Sequence, residues 1–133
     1  MTHFVLLASS FMMIGTHMIA IYAFSGPILL QYVYVIGSFT SIWNHSTTCA
    51  SAQWTDRVAM FVGLCVDLWY IAHLAVIAEA IVVGVLIGCS LVSYGCGKRM
   101  GSILLHVYSH MFVCLSHFSL LLFYHCTSAW PTN

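Results

Sequence analysis

Only six side chains in this 133-residue chain carry a formal charge: Asp56, Arg57, Asp67, Glu79, Lys98 and Arg99. Hydrophobic residues make up 62% of it, charged residues 5%, and the mean hydropathy is +0.99. A water-soluble domain is charged at roughly 25% of its positions. Too few polar groups are available here to clothe a water-facing surface, so the solvent for this chain is a bilayer. The formal net charge is zero. No basic patch of the kind that neutralises phosphates is present, which excludes a nucleic-acid partner.

Apolar segments separated by turn signals predict an all-α fold, an integral membrane bundle of about five transmembrane helices in a single domain, 1–133. The expected spans are residues 4–24, 27–45, 57–73, 79–95 and 102–125. Ser25-Gly26-Pro27 closes the first, and Pro27 opens the second at a position where its missing amide costs nothing. Residues 58–94 form one long apolar stretch that would reach about 55 Å as a single helix, against a hydrocarbon core of about 30 Å. A break between His73 and Glu79 divides it. Gly95-Cys96-Gly97-Lys98-Arg99-Met100-Gly101 reads as a loop. The amino terminus lacks the basic region and small-residue site of a cleaved signal, so the first segment reads as a retained span. The six cysteines, at 49, 65, 89, 96, 114 and 126, show no Cys-x2-Cys pairing and read as small buried hydrophobes.

The number of spans decides what can meet. With five, the end of helix two, the start of helix three and the start of helix five share one membrane face. Arg57, Lys98 and Arg99 then also lie together, as the positive-inside rule expects. That face looks towards the cytosol or an equivalent compartment such as the mitochondrial matrix. With four spans, His106 and His110 would lie on the opposite side from His45.

Ser41, His45, Asp56, His106 and His110 therefore converge in the five-span arrangement. The spacing is Ser-x3-His, an Asp eleven residues on, and a late His-x3-His. His106 and His110, four apart, share a helical face and form a bidentate metal platform, and His117 continues that face. Three imidazoles with an open fourth position make a common form of catalytic zinc site. Ionisable groups at membrane depth usually face a bundle interior and mark a site. Taken singly, each has a plainer role: a His pair arises readily among eight histidines, Ser41 can bond a backbone carbonyl, and His45 can sit at the headgroups. Asp56 or Thr55 can cap helix three and favour its dipole, with Arg57 neutralising the carboxylate.

The combination resembles the superfamily of alkaline ceramidases, progestin/adiponectin receptors and related seven-helix membrane hydrolases. Gly37-Ser38-Phe39-Thr40-Ser41-Ile42-Trp43-Asn44-His45-Ser46-Thr47 is similar to the ceramidase stretch G-x-G-S-x-x-F-H-x-T. Gln53, Asp56 and Met60 fall where that family has Q, D and M, and Leu105-His106-Val107-Tyr108-Ser109-His110 resembles its last-helix motif. The resemblance covers residues 37–60 and 105–110. Arg57 stands where ceramidases have an acidic residue, Ala59 replaces a proline, and the chain has room for about five spans rather than seven. The resemblance implies Zn²⁺ held by His45, His106 and His110, a water whose pKa the metal lowers towards ~7, Asp56 as its base, and Ser41 orienting the site or stabilising the oxyanion. It also implies a long-chain lipid amide, such as ceramide, as substrate.

Other residues carry less specific expectations. Asp67, mid-helix, pairs with His73, His17 or a partner subunit. Trp43, Trp54, Tyr94 and Trp130 are interfacial anchors, and Lys98 and Arg99 lie at the headgroups. Met12, Met13 and Met18 fill gaps in the packing.

A small, loop-poor membrane chain also suits an accessory subunit of a large respiratory or ATP-synthase assembly, with Gly15, Gly63, Gly84 and Gly88 offering close helix contacts. A haem-carrying or quinone-site anchor would use two of His17, His73 and His117. These readings place the chain in the mitochondrial inner membrane or in the endoplasmic reticulum or Golgi.

Overall fold

A computed structural model describes the backbone of residues 2–74 and 76–128. Trp130 and Pro131 lie outside the described residues. The architecture is all-α: α1 (Thr2–Phe24), α2 (Ile28–Ser46), α3 (Ala50–Ile71), α4 (Ile77–Met100) and α5 (Ile103–Ser128). Three stretches are long and apolar enough to cross a membrane: Phe4–Phe24, Ile77–Met100 and Ile103–Thr127. α2 and α3, of 19 and 22 residues, are interrupted by the polar side chains that build the interior.

Burial is inverted relative to a water-soluble protein. Phe4, Phe11, Tyr22, Ile77 and Val92 are exposed, whereas Ser10, His17, Ser38, Ser41, Asp56 and Asp67 are buried. Outward apolar groups lose nothing in lipid, while backbone and polar groups must find partners inside. The same rule corrects two expectations. Cys49, Cys65, Cys96 and Cys126 are exposed rather than buried, and Met12 and Met18 face outwards, leaving only Met13 in the core.

Helix α1 packs on both α2 and α5, α2 on α3, and α4 on α5, whereas α3 and α4 meet sparsely. Their connection falls at residues 72–76, where the long apolar stretch was expected to break. The described apolar core gathers Ala20, Leu30, Tyr34, Val83, Ile87, Leu120 and Leu121, and Tyr34 joins it to buried Asp67 and to His117.

The glycine-rich segment before residue 101 is not a loop. Helix α4 runs through it to Met100 and stops at Gly101, whose φ of 65° supplies the left-handed cap. The Ser102 amide bonds the Gly97 carbonyl at 2.9 Å. Gly97 is buried, and a Cβ there would stand 3.0 Å from the His106 amide nitrogen. Its missing side chain therefore lets the first turn of α5 close against α4. Of the other glycines, Gly63 lies against Val33, while Gly15, Gly84 and Gly88 face open space.

Candidate metal centre

His45 ends α2 on an inward stripe with Tyr34, Ser38 and Ser41. His106 and His110 start α5 one turn apart. The ligand atoms of His45, His106 and His110 all lie within 4.8 Å of one another. Their ring centroids are 5.2 Å apart for His45 and His106, 5.5 Å for His45 and His110, and 5.1 Å for His106 and His110. Sequence separations of about sixty residues are thus bridged by the five-helix topology. Arg57 and Lys98 border the same recess as His45 and His106, as the five-span arrangement requires.

The donor set suits a metal. Ser9 Oγ donates to the Leu6 carbonyl at 2.8 Å and lies 2.8 Å from His110 Nδ1. A hydroxyl has one hydrogen, so the second bond needs Nδ1–H as its donor. That fixes the His110 tautomer and leaves the Nε2 lone pair for a ligand, the usual way an imidazole is oriented towards a metal. Ser9 was not foreseen from sequence: no spacing ties a hydroxyl in the first helix to a histidine in the last. Tyr94, expected as an interfacial anchor, instead sets its ring 5.3 Å from that of His106, edge to face, with Lys98 Nζ 5.5 Å from the Tyr94 ring.

Asp56 does not cap α3. The helix begins at Ala50 after an N-cap at Cys49, so Asp56 lies in its second turn, buried. Asn44 Nδ2 donates to one carboxylate oxygen at 2.7 Å, while Thr40 Oγ1, which donates to the Gly37 carbonyl at 3.0 Å, lies 3.4 Å from the other. Arg57 is exposed and lies over Trp54, 5.3 Å from the ring centre. Among the described residues it forms no ion pair with Asp56. Ser41 is buried, its Oγ 2.9 Å from Ser10 Oγ.

Ser41, Asp56, His106 and His110 line one cavity of about 120 Å³ that also crosses the sparse seam between α3 and α4. His45 lies in the adjoining recess, with His106 shared by both. The arrangement places three nitrogen ligands beside a carboxylate and a hydroxyl, at the head of a space lined largely by apolar side chains.

Asp67 pairs with neither His73 nor His17 directly. Its Oδ2 lies 3.0 Å from His117 Nε2, and Tyr34 OH donates to Oδ1 at 3.0 Å. His117 Nδ1 in turn lies 2.9 Å from His17 Nε2. These two histidines hydrogen-bond each other and so leave no gap between them for a haem. His73 is exposed, with Nδ1 on the Trp69 carbonyl.

No family model, curated protein or solved structure matches the chain.

Proposed function

We propose that this chain is a multi-pass membrane protein whose His45, His106 and His110 hold Zn²⁺, and that it hydrolyses a long-chain lipid amide. The observation that carries this reading is the mutual approach of the three ligand sets to within 4.8 Å, next to a cavity that also holds Asp56 and Ser41. The resemblance to ceramidase motifs in residues 37–60 and 105–110 supports the reaction class.

Held by His45, His106 and His110, a zinc ion would lower the pKa of water and polarise a carbonyl oxygen. Hydrolysis adds hydroxide to the acyl carbon and a proton to the departing amine as the C–N bond breaks. Asp56, one oxygen held by Asn44 and the other left to the substrate side, takes the proton from attacking water and returns it to the amine. Ser41 turns its hydroxyl hydrogen from Ser10 to the developing oxyanion. The seam between α3 and α4 offers acyl chains a lateral way in from the bilayer, and the apolar cavity lining keeps bulk water from the reacting carbonyl.

The test is hydrolysis of ceramide by the purified protein in lipid nanodiscs, read as released fatty acid. Asp56→Asn should lower turnover by about 10²- to 10⁴-fold, the usual range for a proton-transfer group. Equal turnover in Asp56→Asn and wild type, or full activity after zinc has been stripped, would refute the assignment.

A further inference from the structure

A second polar cluster lies deeper in the bundle, and its hydrogen bonds can be counted. Ser38 Oγ donates to the Tyr34 carbonyl at 2.8 Å and lies 2.8 Å from His17 Nδ1. The single Ser38 hydrogen is used, so His17 Nδ1 carries a proton and Nε2 is an acceptor. His117 Nδ1, 2.9 Å away, must then be the donor to it. That leaves His117 Nε2 facing Asp67 Oδ2 at 3.0 Å. A bare carboxylate and a neutral imidazole would meet there lone pair to lone pair. One further proton must lie between them, shared as an Asp67–His117 ion pair or as a protonated carboxyl. Tyr34 stacks on His117 with 3.7 Å between ring centres and donates to the other carboxylate oxygen.

We infer that Asp67, His117, His17 and Ser38 form a proton-exchange site, which binds one proton in the bundle interior and releases it into the cavity shared with Ser41 and Asp56. The counting rests on this cluster's own geometry and not on what the histidine trio binds. In the release step, the His17 Nδ1 proton passes to cavity water. The His117 Nδ1 proton moves to His17 Nε2, and the Ser38 hydroxyl turns from the Tyr34 carbonyl to His17 Nδ1. His117 keeps its Nε2–H, now donated to a full carboxylate. One proton leaves, the Ser38 hydroxyl exchanges its bond to the Tyr34 carbonyl for one to His17 Nδ1, and that carbonyl keeps its backbone partner within α2. Buried chains of Asp and His in membrane proteins commonly serve as such relays.

All four residues line the cavity. The groups facing them are His17 from α1, Tyr34 and Ser38 from α2, Asp67 and Tyr70 from α3, and His117 from α5. Helix α4 presents Ile87, Ser90, Leu91 and Tyr94 to the same cavity. The stripe Tyr34, Ser38, Ser41, His45 on α2 carries the path from this cluster towards the trio.

The test is ¹⁵N-histidine NMR of the whole chain in nanodiscs, from about pH 5 to 9, the range in which imidazoles switch. The expected result is a joint change with a single midpoint. His17 passes from the Nδ1–H to the Nε2–H tautomer as His117 passes from doubly protonated or Nδ1–H to Nε2–H. Asp67→Asn should hold His117 neutral and Nδ1-protonated throughout, because the amide donates to Nε2. Ser38→Ala, a smaller change to the fold, should abolish the switch at His17, because no hydroxyl then remains to bond its bare Nδ1. Fixed tautomers across the range in the folded wild type, or independent midpoints for the two rings, would overturn the inference and leave the cluster a structural lock.

Discussion

Ser9→Ala probes whether the histidine trio is oriented as a metal site. In the wild type the Ser9 hydroxyl, committed to the Leu6 carbonyl, can only accept from His110. It therefore selects the Nδ1–H tautomer and holds the ring at 2.8 Å. Without it the His110 hydrogen is free to move to Nε2, the nitrogen left for the metal, and a half-buried N–H loses its partner. Loss of such a supporting bond costs about 10- to 100-fold in metal affinity, or about 1.4 to 2.8 kcal/mol. The assay is zinc competition against a chromophoric chelator, with protein held in nanodiscs and folding checked by circular dichroism. His110→Ala, which removes a ligand outright, sets the lower bound. An affinity in Ser9→Ala equal to wild type, beside a large loss in His110→Ala, would refute the orienting role.

Further outcomes follow from other contacts. Zinc affinity should fall in acid, since each imidazole must be neutral to bind; titration calorimetry from neutral pH down to the lowest pH at which the chain stays folded checks this, and an affinity unchanged throughout contradicts a three-imidazole site. Gly97→Ala should destabilise by about 1 to 3 kcal/mol, because the new Cβ meets the His106 amide nitrogen at 3.0 Å, and it should weaken zinc binding with it; thermal unfolding in detergent gives the first and chelator competition the second. Gly101→Ala places a Cβ at a φ of 65° and should cost about 1 kcal/mol without touching the trio's metal affinity. Tyr34→Phe leaves buried Asp67 Oδ1 without its donor and should cost about 1 to 3 kcal/mol in the same unfolding assay.

The helical architecture was largely legible because Gly, Pro and polar clusters punctuate apolar runs. That residues 58–94 must break followed from bilayer thickness, and the polar residues between His73 and Glu79 marked where. The segment 95–101 misled, since three glycines and two cations look like a loop. In place, Gly97 is a packing glycine and Lys98 and Arg99 favour the negative end of the α4 dipole. The approach of His45 to His106 and His110 was legible too, because span parity sets which helix ends meet. Ser9 and the Asp67–His117–His17 chain were not. Both depend on α1 inserting between α2 and α5, a matter of tertiary packing that leaves no mark on local spacing. Asp56 lines the cavity with His106 and His110, but not from the helix start its sequence suggested: α3 begins at Ala50, earlier than the apolar pattern implies, which turns Asp56 from a capping position to an inward one.

The central claim is that His45, His106 and His110 together hold one metal ion. Elemental analysis of the purified, folded protein, with anomalous scattering at the zinc edge, addresses it directly. The account predicts about one zinc per chain, located among the three imidazoles and lost in His106→Ala. A well-folded preparation that takes up no zinc at saturating concentration, or that retains it unchanged in His106→Ala, contradicts the account and leaves the trio as polar packing in a membrane bundle.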